Sequence, residues 1–186
     1  MAEATHREIL LVPHLFRASN IHSAARAAEM LQDAGITVRL LEQEQMEAIE
    51  TNPVLCGLTR AVADDDAAAG CELVLVLGGD GTFLRAASYA HAQNIPVLGI
   101  NLGHVGFLAE GEASSLEKVV GQVIDRSYRV VDRMTLDVAV IGDGGEVLGR
   151  SWALNECSIE NSDRSRVLDA TLEVDFRPVS SFGCDG

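Results

Sequence analysis

A run of five apolar residues, Leu73 to Leu77, leads directly into the turn Gly78-Gly79-Asp80-Gly81-Thr82 and then into a helix-like stretch. A continuous apolar run of this length is typical of a strand that is buried on both faces of a parallel sheet. Parallel strands need long crossover connections, usually helices, so this run also constrains what surrounds it. It predicts a strand, a glycine-rich turn and a helix, in that order.

The same alternation of strands and helices extends over residues 8–125. We expect strands at 8–12, 37–41, 73–77 and 97–100, and helices at about 20–34, from Thr82 to Asn94, and at 116–124. The last helix is the clearest, because its apolar residues recur every three or four positions behind a Ser-x-x-Glu capping box. The pattern predicts an α/β domain with a doubly wound parallel sheet.

Residues 42–70 are acidic and poorly patterned. We interpret them as a solvated loop with one weak helix, and a cation-binding acidic patch is the alternative.

The pattern changes after Ser127. Apolar and polar residues alternate at 136–140 and 168–175, a tight hairpin turn is predicted at Gly142–Gly145, and residues 147–154 and 157–160 are strand-like. We therefore predict an α/β nucleotide-binding domain over residues 1–130 and an antiparallel β-sandwich domain over 131–186. About four strands are few for a sandwich and leave an edge open, so we expect that the β domain is incomplete and truncated at Gly186.

Composition excludes several classes of function. A net charge of −14 argues against nucleic acid as a partner, because the phosphate backbone would be repelled. The sequence contains no apolar run of about 18 residues that would span a membrane, and its start does not resemble a signal peptide, so we expect a cytoplasmic protein. The four cysteines are widely spaced and the five histidines show no ligand spacing, so we assign no residue to a metal site.

The turn itself indicates phosphate chemistry. A strand that ends in glycines before a helix directs backbone N–H groups at an anion and lets a ligand come close to the backbone. Asp80, in the middle of the turn, is unfavourable beside a phosphate unless it holds a metal ion or accepts a proton, as in phosphoryl transfer. The alternative is a simple strand-to-helix corner in which Asp80 caps the helix.

Three further groups of residues are candidates for the same site. Arg85 lies one turn into the helix and either pairs with a phosphate or is a surface arginine. Phe107, in the second glycine-rich turn after Asn101, either stacks on a base or fills the core. Asn155 and Glu156 suit the hydroxyls of a ribose, or form an ordinary polar strand end.

Taken together, these motifs resemble the NAD kinases of the bacterial type. The turn GGDGT (78–82) is shared with diacylglycerol and sphingosine kinases and, as GGDGS, with phosphofructokinases. NLGHVGFLAE (101–110) is similar to the NAD-kinase segment NxGxxGFL, LNE (154–156) to its Asn-Glu/Asp motif, and CDG (184–186) to the end of its GDG motif. The resemblance covers the chain from about residue 7 to the last residue.

The resemblance implies phosphorylation of the 2′-hydroxyl of the adenosine ribose of NAD, giving NADP. The donor would be ATP or polyphosphate, with Mg²⁺ or another divalent cation, and the protein a homo-oligomer, commonly a dimer or a tetramer. Asp80 would be the general base. Phosphate binding would fall to Gly78, Gly79 and Thr82, and NAD binding to Gly81, Arg85, Phe107, Asn155, Glu156 and Asp185.

The sequence departs from this family in two places. The Thr/Ser/Gly-rich segment that follows GDG in the family does not occur before Gly186, so we expect a fragment with impaired activity. Gly183 and Cys184 precede Asp185 where many members have a basic residue and then glycine, which would weaken a phosphate contact. A lipid kinase that shares the GGDGT turn and a non-catalytic nucleotide-binding module are the alternative functions.

Overall fold

The structure is a computed structural model of the 186-residue chain, and it describes residues 6–14, 18–42, 47–101, 111–112, 116–161 and 167–184. The chain divides into two compact units, Met1–Val131 and Asp132–Gly186. Their architecture is the predicted one, an α/β unit with a parallel sheet followed by antiparallel β structure.

The first unit is built on a six-stranded parallel sheet with the order β3-β2-β1-β4-β5-β6. Its strands are β1 (Glu8–Pro13), β2 (Thr37–Leu41), β3 (Thr59–Ala61), β4 (Leu73–Leu77), β5 (Val97–Asn101) and β6 (Gly111–Glu112). The first strand is therefore central, and the sheet grows outward from it in both directions. The direction of growth reverses between β1 and β4, which makes the gap between these strands the topological switch point.

Helices cover both faces of this sheet. They are α1 (Ala18–Asp33), α2 (Glu47–Glu50), α3 (Pro53–Cys56), α4 (Asp80–Gln93) and α5 (Leu116–Ile124). One face buries Ile9 and Leu11 of β1 against α1, α2, α3 and α5, and the other buries Leu10 and Val12 against α4. Neighbouring residues of β1 thus enter different cores, as the two-residue period of a strand requires.

The interpretation of residues 42–70 as a solvated loop with one weak helix was only partly correct. Within this stretch the structure contains α2, α3 and β3, with Asn52 accepting hydrogen bonds from the N–H groups of Val54 and Leu55 as the N-cap of α3. Ile49, Leu55 and Leu58 are buried in the first core. The elements are only three or four residues long, too short to show a period, so tertiary packing rather than local pattern specifies them.

The second unit consists of two antiparallel hairpins. Strands β7 (Leu136–Ile141) and β8 (Val147–Ala153) flank the predicted turn, in which Gly145 has a φ of +82°. Strands β9 (Leu168–Val174) and β10 (Arg177–Cys184) form the other hairpin. The sequence did not predict β10, and residues 157–160, expected to be strand-like, lie outside any strand.

Most apolar side chains of these hairpins are exposed. The group includes Leu136, Val140, Ile141, Val147, Leu148, Leu172, Val174, Val179 and Phe182. The α/β unit differs in this respect, because the apolar residues of its strands β1 and β4 are fully buried. In the described parts of both units, the helices are all too short or too polar to cross a membrane.

Candidate active site

The glycine-rich turn lies at the carboxyl edge of the sheet, where three strands end together. The N–H of His14, directly after β1, donates to Leu77 O at 2.8 Å, and the N–H of Gly78 donates to Ile100 O at 3.0 Å. The ends of β1, β4 and β5 are thereby fixed side by side. Open α/β sheets bind ligands at this edge, beside the switch point.

Helix α4 begins two residues earlier than the sequence predicted. Gly79 is its N-cap, with extended backbone (φ −93°, ψ −172°), and its carbonyl accepts hydrogen bonds from the N–H groups of Thr82 and Phe83, both at 3.0 Å. Asp80 is consequently the first residue of the helix and not its cap, so the interpretation of Asp80 as a capping residue was wrong. Its half-buried carboxylate lies in the first turn, where the helix dipole favours a negative charge.

The three glycines of the turn lack a side chain for different structural reasons. A Cβ at Gly78 would lie 2.8 Å from Thr82 Oγ1 and 3.0 Å from the Cβ of His14, so packing within the turn requires glycine there. At Gly79 and Gly81 a Cβ would meet nothing within 4 Å. Gly79 also has a φ that any residue can adopt. The open space over Gly79 and Gly81 lets a ligand approach the backbone at the start of α4.

Thr82 and Arg85, in the first two turns of α4, differ in exposure. Thr82 is only 6% exposed and is on the same side as Ala86 and Ala90, whose small side chains pack against the sheet. Arg85 is exposed and follows Gly81 by four residues, which places both on one face of the helix.

Two candidates belong to the second unit. Strand β8 ends at Ala153, and Asn155 and Glu156 follow it as exposed residues outside the strand. Neighbouring residues within a strand face opposite sides, so only one of the two could reach a ligand from a strand. Asn155 and Glu156 lie beyond the end of β8, so this restriction does not apply to them. Phe107 and Asp185 lie outside the described residues.

Sequence reasoning missed a pair of residues beside the turn. The buried amide of Asn20, in the first turn of α1, donates to His14 O at 2.9 Å and lies 3.3 Å from His14 Nδ1. The position of His14 immediately after the first strand of a parallel sheet was the available signal, because that position adjoins the switch point.

At the amino-terminal ends of the strands, Glu72 directly precedes β4 and accepts hydrogen bonds from three side chains. Arg7 donates through Nε and Nη2 at 2.8 and 2.7 Å, Arg126 through Nη2 at 3.1 Å and Tyr128 through its hydroxyl at 3.1 Å. The hydrogen bond from Arg7 is the main reason that the pKa of Glu72 falls from 4.5 to about 2. Arg7 also donates to the carbonyls of Val123 and Ile124 at the end of α5, so this network fixes structure rather than a ligand.

Comparison with known proteins is consistent with this architecture. A family model described as the ATP-NAD kinase N-terminal domain matches residues 9–128. A protein of Corynebacterium efficiens named NAD kinase is 64% identical over all 186 residues, which cover 58% of that protein, and one of Corynebacterium diphtheriae with the same name is 58% identical over 97% of this chain and 57% of its own length. The chain thus spans less than two thirds of these relatives.

A solved structure shares the fold at low sequence identity. The crystal structure of yeast NADH kinase complexed with NADH has a TM-score of 0.75 and 18% identity, over 98% of this chain and 57% of that one. This likeness concerns the fold alone, whereas the family model covers the parallel sheet from Ile9 onward, with its glycine-rich turn. The chain belongs to the ATP-NAD kinase family.

Proposed function

We propose that this chain carries the phosphoryl-transfer part of an NAD kinase, which phosphorylates the 2′-hydroxyl of the adenosine ribose of NAD to give NADP. The observation that carries the proposal is the position of Asp80. Its carboxylate is in the first turn of α4, at the carboxyl edge of the sheet and between two glycines with open space above them. Membership of the ATP-NAD kinase family supplies the substrate class.

Asp80 acts as the general base in this proposal. Its carboxylate takes the proton of the ribose 2′-hydroxyl while the 2′-oxygen forms a bond to the terminal phosphorus of the donor. The bond from that phosphorus to the bridging oxygen breaks, and ADP, or a polyphosphate shortened by one unit, leaves. Gly78, Gly79 and Thr82 shape the turn. Because the N–H groups of Gly78 and Thr82 donate to Ile100 O and Gly79 O, other backbone N–H groups at the start of α4 would hold the phosphates.

The donor set at the turn fits a metal ion that arrives with the phosphates. Within the described parts of the chain, no three His, Cys, Asp or Glu side chains are grouped so as to hold a metal. Mg²⁺ commonly uses one or two protein carboxylates together with substrate phosphates and water. Bound Mg²⁺ or another divalent cation would be held mainly by the phosphates, which leaves Asp80 as the base, and it would supply neutralisation of the phosphate charge.

The proposal also names residues that bind the dinucleotide. We assign to it Gly81 and Arg85, which share one exposed face of α4, and Asn155 and Glu156, which offer donors and acceptors to a ribose. Phe107 at the adenine end and Asp185 toward the nicotinamide complete the proposed set. Accordingly, residues 1–130 would form the nucleotide-binding domain, and 131–186 the start of the NAD-binding β domain.

The remaining parts of the proposal concern the setting of the enzyme. We propose a cytoplasmic homo-oligomer, a dimer or a tetramer. A net charge of −14 disfavours nucleic acid as a further partner.

The test is NADP formation from NAD with Mg²⁺ and either ATP or polyphosphate. It is measured for the 186-residue chain and for the chain extended by the residues of the Corynebacterium efficiens relative that lie beyond its match. We expect weak turnover by the chain and robust turnover by the extended form. Asp80→Asn should lower kcat about 10²–10⁴-fold with little change in melting temperature.

Exposed Asp33→Asn at the end of α1 serves as the matched control and should keep full activity. No NADP formation by the extended form would refute the proposed function, and unchanged kcat in Asp80→Asn would remove the general-base role. Phosphorylation of diacylglycerol or sphingosine in place of NAD would favour a lipid kinase. Nucleotide binding without any transfer would favour a non-catalytic module.

A further inference from the structure

We propose that His14 is a phosphate-binding residue of this site and that Asn20 is the positioning residue that keeps its Nε2 protonated. The proposal rests on the proposed function, because it concerns the phosphates bound at the turn before α4. It adds a side chain from the end of β1 to a site otherwise formed by the residues that follow β4. Three observations carry it.

The first observation is the place of His14 in the fold. It is the residue directly after β1, its N–H donates to Leu77 O at 2.8 Å, and Gly78 follows that leucine. A Cβ added to Gly78 would lie 3.0 Å from the Cβ of His14, so the two residues are in contact. The imidazole therefore leaves the backbone at the switch point, beside the turn that would hold the phosphates.

The second observation fixes the orientation of the Asn20 amide. Its nitrogen lies 2.9 Å from the carbonyl oxygen of His14, which only accepts hydrogen bonds. That atom must therefore be the NH₂ group of the amide, because the amide oxygen has no hydrogen to donate. Asn20 is 4% exposed, so water does not compete effectively for this contact.

The third observation is the contact of the same amide nitrogen with the imidazole, at 3.3 Å from Nδ1. The NH₂ group has two hydrogens, one available for the carbonyl of His14 and the other for Nδ1. Nδ1 consequently accepts, and in the neutral ring the proton is on Nε2. Asn20 thus makes Nε2 of His14 a hydrogen-bond donor, which is the role that a phosphate oxygen requires.

The tautomer can be measured without any enzymatic activity. Nitrogen-15 spectra of the imidazole rings, recorded on the 186-residue chain in mildly alkaline buffer and assigned with His14→Gln, should show His14 protonated at Nε2. Asn20→Asp replaces the donor by an acceptor and should move the proton to Nδ1. A parent His14 protonated at Nδ1, or an unchanged tautomer in folded Asn20→Asp, would overturn the role of Asn20.

Phosphate binding is tested with tripolyphosphate, ATP and NAD added separately to the same sample. A shift of the His14 Nε2 resonance with tripolyphosphate and ATP would assign the contact to the phosphoryl donor, and a shift with NAD alone would assign it to the dinucleotide. Either result supports a phosphate contact. Binding of all three ligands, seen by calorimetry, with no shift of this resonance would overturn it.

A pair of substitutions separates hydrogen bonding from packing. His14→Gln keeps an N–H group near the position of Nε2, whereas His14→Asn keeps one only near Nδ1. We expect affinity for the responsive ligand to fall about tenfold or more in His14→Asn and to be largely retained in His14→Gln. Exposed His22→Asn in α1 is the control and should bind like the parent.

The same pair distinguishes failure of this inference from failure of the proposed function. In the extended chain, His14→Asn should raise the KM for the ligand that responds, with a smaller change in kcat. Equal affinity and KM in parent, His14→Gln and His14→Asn would exclude His14 while leaving the kinase intact. Binding of neither ATP nor tripolyphosphate by the parent would refute the phosphate site itself, whatever the tautomer of His14.

Discussion

Gly78 and Thr82 fit against each other so closely that residue 78 has no room for a side chain: a Cβ there would lie 2.8 Å from Thr82 Oγ1 and 3.0 Å from Thr82 Cβ. Gly78→Ala should therefore lower the free energy of unfolding of the α/β unit by about 1–3 kcal/mol, because buried Thr82 cannot turn away. Urea unfolding measures the change.

Gly79→Ala is the matched control, since a Cβ at Gly79 meets nothing within 4 Å; its free energy of unfolding should fall by only about 0.5 kcal/mol, because alanine is a poorer N-cap than glycine. The double variant Gly78→Ala/Thr82→Ala should recover part of the loss, because it removes Oγ1 from the contact. Strict additivity of the two single substitutions would show that they do not interact and would contradict this packing.

Gly81→Ala should separate stability from activity. Gly81 is helical and a Cβ meets nothing within 4 Å, so alanine should raise the free energy of unfolding by about 0.5–1 kcal/mol. In the extended chain, the same methyl group would displace a ligand at the start of α4 and lower NADP formation about tenfold or more. Melting temperature and kcat/KM are the two measurements.

The helical glycine of α5 provides the comparison. A Cβ at Gly121 also meets nothing within 4 Å, so Gly121→Ala should stabilise the fold similarly and leave NADP formation unchanged. Equal activity in Gly81→Ala and Gly121→Ala would show that no ligand approaches the backbone at Gly81.

The α/β unit could be predicted because its strongest elements are long and apolar. The run Leu73–Leu77 indicated a fully buried strand, and the structure places it beside β1 in the middle of the sheet. The strand Thr59–Ala61 and the hairpin partner Arg177–Cys184 were not predicted. Thr59–Ala61 has only three residues. Arg177–Cys184 joins β9 through Asp175 and Phe176, which both have a positive φ. Glycine or asparagine at such positions is the usual sequence signal of a hairpin turn.

Acid should weaken the α/β unit through Glu72. Its pKa is about 2 in the folded state, below the ordinary value of 4.5, because Arg7, Arg126 and Tyr128 donate hydrogen bonds to the carboxylate. A depressed pKa stabilises the fold above pH 4.5, and this contribution disappears as the pH falls from about 4.5 to about 2. We expect a loss on the order of 2 kcal/mol, since partial exposure of the network reduces the full linkage value.

Unfolding by urea at several pH values between neutrality and pH 2 checks this linkage, with Glu72→Gln as the variant. The variant should be less stable than the parent at neutral pH, and the difference should shrink toward pH 2. Glu29→Gln, which breaks an exposed pair with Arg26 at 3.9 Å, should change stability by less than about 0.5 kcal/mol. A pH-independent difference for Glu72→Gln would contradict the depressed pKa.

Asn94 ends α4 in the left-handed conformation, with φ 52° and ψ 42°. Asn94→Ala should lower the free energy of unfolding by about 1 kcal/mol, because a Cβ without a compensating side-chain hydrogen bond is unfavourable there. Asn94→Gly should be neutral or slightly stabilising, and thermal unfolding distinguishes them. If alanine and glycine are equally stable, the helix does not end in this conformation.

The candidate site was predictable where one contiguous motif carries it. The motif consists of five consecutive residues, Gly78 to Thr82, and the apolar strand before them indicates where the turn begins. His14 is 64 positions before Gly78 and comes beside it only because β1 pairs with β4, which no local pattern encodes. Likewise, only the observed start of α4 distinguishes a capping aspartate from one in the first helical turn.

The central place of β1 also has a consequence for the order in which the chain can assemble. Arg7, just before β1, contacts Glu72 and the carbonyls of Val123 and Ile124, which are 65, 116 and 117 residues away in sequence. During synthesis, the second edge of β1 can therefore pair only after β4 has emerged. Arg7 can contact all its partners only after α5 has emerged. These long loops must close before most of the stabilising contacts can form. This topology therefore favours slow folding, with a rate-limiting step late in folding.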